Sequence, residues 1–157
     1  MKLSELIHGP SVIPELTATD RNGVIRELIQ SLADHGELEA GAVETAARAA
    51  IARENQGSTG FGKGVAIPHV KHECIQKMSA TIGRSSRGVD FAALDRAPVY
   101  TVVLLLSPAD APDEHLAAME KIFRCLHREN FRRFLRQADS VEAITDLLTE
   151  ADEIQSE

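Results

Sequence analysis

Cysteine is scarce in this chain: Cys74 and Cys125 are the only two among 157 residues, and they have no framework spacing. That excludes a small disulfide scaffold and predicts a reduced, intracellular protein. Positive charge is also short. Against 24 Asp and Glu stand 17 Lys and Arg, and the net charge of −7 argues against a nucleic-acid partner. The longest apolar run, residues 102–106, is far too short to cross a bilayer. The N-terminus lacks the charged-then-apolar pattern of an export signal. A cytoplasmic location and no membrane insertion are therefore expected. Repeats, linkers and low-complexity segments are missing as well.

What remains is an ordinary globular composition, 43% hydrophobic and 26% charged, fitting one domain over residues 1–157. Helical spacing of apolar residues predicts a first turn within residues 1–7 and a helix over 20–35 on Val24, Ile25, Leu28, Ile29 and Leu32, stopped by Gly36. A second long helix over 40–53 carries Val43, Ala46, Ala47, Ala50 and Ile51. Residues 11–16 read as a short edge or bulged strand, because Pro14 cannot join a ladder. Residues 78–83 alternate and predict a half-buried strand. Residues 88–98 read as a turn region with Val89, Phe91 and Leu94 dipping inward.

Residues 99–106 are apolar on both faces and predict the central strand. Residues 107–113 read as a turn-rich connector. A helix over 114–127 follows, with Leu116, Met119, Ile122, Phe123 and Leu126 as its stripe, then a helical piece over 130–137 on Phe131, Phe134 and Leu135. A last helix starts at Asp139 or Ser140 and carries Val141, Ile144, Leu147 and Leu148, and its acidic tail is expected to fray from Glu150. Arg128, Arg132 and Arg136 fall on one helical face, read as a solvated stripe or else a docking patch for an acidic partner. The expected class is α/β (α+β): a small mixed sheet covered by helices in one domain.

The chemistry concentrates in residues 53–69, where four glycines (Gly57, Gly60, Gly62 and Gly64) precede Val65-Ala66-Ile67-Pro68-His69. Glycine permits positive φ and close backbone approach, while Pro68 keeps Ile67 extended. A short strand over 65–67 thus delivers His69 at its exit. A neutral imidazole is a nucleophile when its other nitrogen is hydrogen-bonded. Arg53, Lys63 and Lys71 nearby favour a phosphate over a neutral substrate. A zinc site on His69, His72, Cys74 and His115 is a competing arrangement, although its spacing fits no familiar pattern. A Cys-His nucleophile pair is a weaker competitor, since nothing in the sequence lowers the pKa of either cysteine.

The run Ser58-Thr-Gly-Phe-Gly-Lys-Gly-Val-Ala-Ile-Pro-His69 resembles the active-site signature of enzyme IIA of the fructose/mannitol class, in the bacterial sugar phosphotransferase system. Nitrogen-type regulatory relatives share that signature. Arg53-Glu-Asn, Gly88-Val-Asp-Phe, Ala97-Pro-Val and His115-Leu extend the likeness over nearly the whole chain. The resemblance implies a small mixed sheet sandwiched between helices. It implies that His69 is phosphorylated, that Arg53 helps to hold the phosphoryl group, and that His115 lies beside it. Ser58, Thr59 and Lys63 are further phosphoryl-binding candidates.

The implied partners are the histidine phosphocarrier protein and either an enzyme IIB or a regulatory target, with no metal or organic cofactor. The sequence carries no fused IIB or IIC segment, which tilts the expectation toward regulation rather than sugar transport. Val70, Phe61 and Lys63 depart from the usual pattern. Val70 and Phe61 are expected on the rim that meets protein partners, equally with Phe61 packed beneath the loop.

Overall fold

The computed structural model describes residues 1–155. Its five strands are β1 (Gly60–Gly62), β2 (Val65–Ala66), β3 (His69–His72), β4 (Ser79–Val89) and β5 (Val99–Pro108). β5 organises the rest. Val103 and Leu105 point into one core and Val102, Leu104 and Leu106 into the other, so period-2 alternation buries both faces and makes the strand central. β4 runs antiparallel along one edge of β5, with Ala80 opposite Leu105. β2 and β3 run parallel to it, with Val65 opposite Thr101 and His69 opposite Leu105. They share the remaining edge as one strand interrupted at Ile67–Pro68. β1 folds back on β2 as a hairpin.

Six α-helices sandwich this mixed sheet among the described residues, as expected for the class. On the Val103 and Leu105 face lie α1 (Leu3–Leu6), α4 (Pro112–Leu126), α5 (Glu129–Gln137) and α6 (Val141–Gln155). The other face is covered by α2 (Arg21–Asp34) and α3 (Val43–Gln56). The Asp20 carboxylate caps α2 by accepting from the Gly23 N–H at 2.7 Å. Gly36 ends the segment at φ +80°, a conformation that glycine takes without strain. The Ser140 hydroxyl accepts from the Ala143 N–H at the start of α6.

Several elements differ from the reading of the sequence. Residues 11–16 form no strand. Gly9–Ser11 is a 3-10 turn, and Ile13 makes one parallel bridge to Gly83 before Pro14 breaks the ladder. The strand predicted at 78–83 extends to Val89 and is not half-buried: Ser79, Ala80, Thr81 and Ile82 are all buried, because helices cover both faces. Leu94 and Leu116 are exposed at 79% and 59% instead of joining the core. α6 continues past Glu150 to Gln155, and Asp152 accepts from the backbone N–H of Leu3 and Ser4. Ser156 and Glu157, the end of the predicted frayed tail, lie outside the described residues. The three arginines are not a uniformly solvated stripe. Arg132 donates to the Leu126 carbonyl at 2.8 Å, Arg136 stacks 3.6 Å over the Tyr100 ring, and Arg128 is half-buried.

Gly83 sets how closely α2 approaches the sheet. A Cβ there would sit 2.7 Å from Leu16 Cδ2 and 2.8 Å from Leu28 Cδ2, both buried. Overpacking of this kind costs ~1–3 kcal/mol. Gly83→Ala is expected to lower the thermal midpoint by several degrees. An unchanged midpoint in a melting experiment would mean that both leucines yield freely.

Candidate functional site

Three segments meet at the carboxyl end of β5, where parallel strands of α/β sheets place their ligands. The first is β3. Thr59 O holds the Ile67 N–H at 3.3 Å, and beyond that point the outer edge of the strand is open. The Ile67 carbonyl is therefore available, and His69 Nδ1–H donates to it at 2.7 Å. The proton position is assigned from this bond, since a carbonyl can only accept. Nε2 of His69 consequently carries the lone pair. The ring is half-buried. Burial lowers its pKa first; the Ile67 bond opposes that, Arg53 lowers it again, Glu54 raises it and Lys71 lowers it. The result is an imidazole held neutral below its ordinary pKa of 6.5.

The second segment is the turn out of β5 into α4. Pro112 opens the helix at a position where a missing N–H costs nothing, and His115 falls in its first turn on the buried side at 8% exposure. The His115 and His69 ring centroids lie 5.6 Å apart. The pKa of His115 is pushed down to about 4, by burial first and then by His69 and Lys71. His115 Nδ1 lies 2.7 Å from the hydroxyl oxygen of Ser107 on β5. The helix N-terminus beside it favours an anion.

The third segment is the end of α3. Arg53 is half-buried, and among the described residues its hydrogen bond goes to the Gly57 carbonyl at 3.0 Å. Most of its five N–H donors stay free for an anion. Glu54 is 1% exposed. It accepts from the Thr59 N–H at 2.8 Å and from the Thr59 hydroxyl at 2.5 Å, which closes the loop over residues 54–59. Two donors to one carboxylate compensate its burial.

His69, His115 and Arg53 thus share one corner of the molecule. The hydroxyls of Ser58 and Thr59 are engaged elsewhere, and Lys63 stands apart. The Ser58 hydroxyl donates to the Phe91 carbonyl at 2.7 Å and accepts from the Gly60 N–H at 3.0 Å, and that of Thr59 is taken by Glu54. Both brace the loop. Lys63 is exposed at the tip of the β1–β2 hairpin with φ +62°, its N–H held by Asp95 at 3.1 Å. Val65 sits opposite Thr101 and His69 opposite Leu105, so the hairpin tip at Lys63 lies more than four strand residues from His69, beyond about 13 Å along the sheet. Nearness in sequence was misleading, because the hairpin turns the lysine toward the other end of β5.

Lys71 is the cation that does approach. It stands two residues on from His69 in β3, on the same face of the strand, and acts on the pKa of both histidines. The zinc arrangement finds no support, since His72 Nδ1 accepts from the Cys74 N–H at 3.0 Å and no three ligands converge among the described residues. Phe61 and Val70 are both partly buried. Phe61 packs 5.1 Å from Phe123 and 5.8 Å from His127, ring to ring. Leu116, exposed next to His115, adds apolar surface at this corner.

Comparison with known proteins gives the chain a family setting. Residues 5–151 match the model for the phosphoenolpyruvate-dependent sugar phosphotransferase system, EIIA 2. The chain is 32% identical over 152 residues to the PTS system fructose-specific EIIABC component of Bacillus subtilis, a match covering 97% of this chain and 24% of that protein. It is also 32% identical over 149 residues to a nitrogen regulatory protein of Bradyrhizobium diazoefficiens, covering 94% of this chain and 95% of the relative. The crystal structure of nitrogen regulatory protein IIA-Ntr from Neisseria meningitidis superposes with a TM-score of 0.83 at 27% identity, over 93% of this chain and 98% of that one.

Proposed function

We propose that this chain, which belongs to the phosphoenolpyruvate-dependent sugar phosphotransferase system EIIA 2 family, is a cytoplasmic phosphocarrier that takes a phosphoryl group onto Nε2 of His69 and gives it up again. The observation that carries this reading is the 2.7 Å bond from His69 Nδ1 to the Ile67 carbonyl, on a half-buried ring. That bond leaves Nε2 unprotonated. Phosphoryl transfer asks a protein mainly for positioning and for charge stabilisation along an in-line path.

The donor in this reading is the phosphohistidine of the histidine phosphocarrier protein. The Nε2 lone pair attacks phosphorus, the P–N bond to the donor breaks, and its electron pair returns to the donor's imidazole. His69 keeps its Nδ1 proton, and the Ile67 carbonyl stabilises the positive character that the phosphorylated ring acquires. Arg53 pairs with phosphoryl oxygens through its planar fork, and neutral His115 donates a hydrogen bond to the same group. Transfer onward reverses the path.

For the downstream step we favour regulation, in which the phosphorylation state decides which target protein is bound. The likeness to nitrogen regulatory proteins in both sequence and structure supports it. A transport role, donating to an enzyme IIB for a fructose- or mannitol-like sugar, draws support from the fructose-specific relative at equal identity. Phosphorylated protein mixed with enzyme IIB domains of the fructose and mannitol classes distinguishes the two. Retention of the phosphate over minutes is expected for a regulator. Rapid drainage to the IIB domain would establish the transport role instead.

A further inference from the structure

We propose that Ser107 is a positioning residue of this site, its hydroxyl holding His115 in the tautomer that carries the proton on Nε2. The consequence for catalysis rests on the phosphocarrier reading above, whereas the tautomer itself does not.

Ser107 lies in β5 two residues beyond Leu105. Since Leu105 pairs with His69 and Ser107 with Lys71, strand alternation turns Ser107 to the same face as Leu105, the face that α4 covers. Ser107 is 0% exposed, and His115 Nδ1 at 2.7 Å is the partner of its hydroxyl. A hydroxyl has one hydrogen to give, and a buried donor without an acceptor costs ~1–3 kcal/mol. Nδ1 is the acceptor within reach, so the O–H donates to it. Nδ1 then holds a lone pair, and a neutral ring must carry its hydrogen on Nε2. In the opposite arrangement Nδ1–H would donate to the hydroxyl oxygen. The serine hydrogen would be stranded, and the Nε2 lone pair would face the phosphoryl oxygens.

The two histidines of the site are thereby set in opposite tautomers by two different acceptor and donor groups. The Ile67 carbonyl forces the proton of His69 onto Nδ1 and frees Nε2 to attack. The Ser107 hydroxyl forces the proton of His115 onto Nε2, on a ring 5.6 Å away, and makes it a donor. One ring becomes the nucleophile and the other the stabiliser, without a charge on either. A helix N-terminus, which disfavours imidazolium, suits this division.

Nitrogen-15 NMR of the histidine side chains in the unphosphorylated wild-type protein at neutral pH is the primary test. It is expected to show His115 protonated on Nε2 and unprotonated on Nδ1; a protonated Nδ1 would overturn the proposal outright. Ser107→Ala is expected to draw the two His115 nitrogen signals toward each other. It should also slow phosphoryl acceptance by about tenfold, less than the 10²–10³ typical of removing a stabilising donor itself. Ser107→Thr, which keeps the hydroxyl, is expected to restore both.

In a His115→Ala background, Ser107→Ala is expected to cost nothing further, as for residues acting as a unit. A slow Ser107→Ala variant with unchanged His115 signals would assign the serine a merely structural role and contradict the proposal. If that variant does not fold, the wild-type spectrum decides alone. Failure of the phosphocarrier reading is separable, because it appears as wild-type protein that gains no phosphate whatever the tautomer of His115.

Discussion

His69→Ala is expected to abolish phosphoryl acceptance from phosphoenolpyruvate, enzyme I and the histidine phosphocarrier protein. The wild-type protein is expected to gain one acid-labile, alkali-stable phosphate under the same conditions. No neighbouring imidazole can substitute. His115 is buried with its Nδ1 engaged by Ser107, and His72 spends its Nδ1 on the Cys74 N–H. The pH profile carries the same signature. An ordinary histidine is half protonated, and so half inactive as a nucleophile, at pH 6.5. Burial lowers the pKa of His69, so the neutral fraction stays high there. The midpoint of the decline in acceptance is expected to fall below pH 6.5. Labelling that survives in His69→Ala, or that moves to His115, would overturn the assignment.

Arg53→Ala and His115→Ala are expected to slow transfer while leaving His69 able to be labelled to completion. Removing one donor aimed at developing charge costs ~2.7–4 kcal/mol, or about 10²–10³ in rate. His115 belongs near the upper end, because its ring is 8% exposed and works where water is excluded. Arg53 belongs near the lower end, because it is half-exposed and water screens its charge. Rapid-quench time courses against the wild type give both rates. Equal rates in all three proteins would mean that neither side chain touches the phosphoryl group.

The central strand was legible because Val99 to Leu106 leave no polar face, and α2 because Asp20 and Gly36 punctuate a clean apolar stripe. His69, His115 and Arg53 were legible as a set only through the family signature. They are far apart in sequence, and only the register of β3 on β5 and the turn into α4 bring them together. Ser107 was hidden within a Ser-Pro-Ala-Asp run that reads as a turn, yet β5 continues through it to Pro108. Glu54 gave no signal of its own in the sequence; its burial depends on Thr59 returning five residues later to supply two donors. Lys63 was misplaced for the converse reason, since it lies only six positions before His69 but at the hairpin tip, and the extended chain of β2 carries the two apart. Leu94 and Leu116 were misread inward because hydrophobicity alone does not distinguish a core residue from an exposed one.

The most direct test of the central claim is to phosphorylate the wild-type protein and identify the modified nitrogen by proton–nitrogen NMR correlation. A single phosphoryl group on Nε2 of His69, with Nδ1 still protonated against the Ile67 carbonyl, is the predicted result. Phosphate on Nδ1 of His69, on His115, or on any other side chain would contradict it.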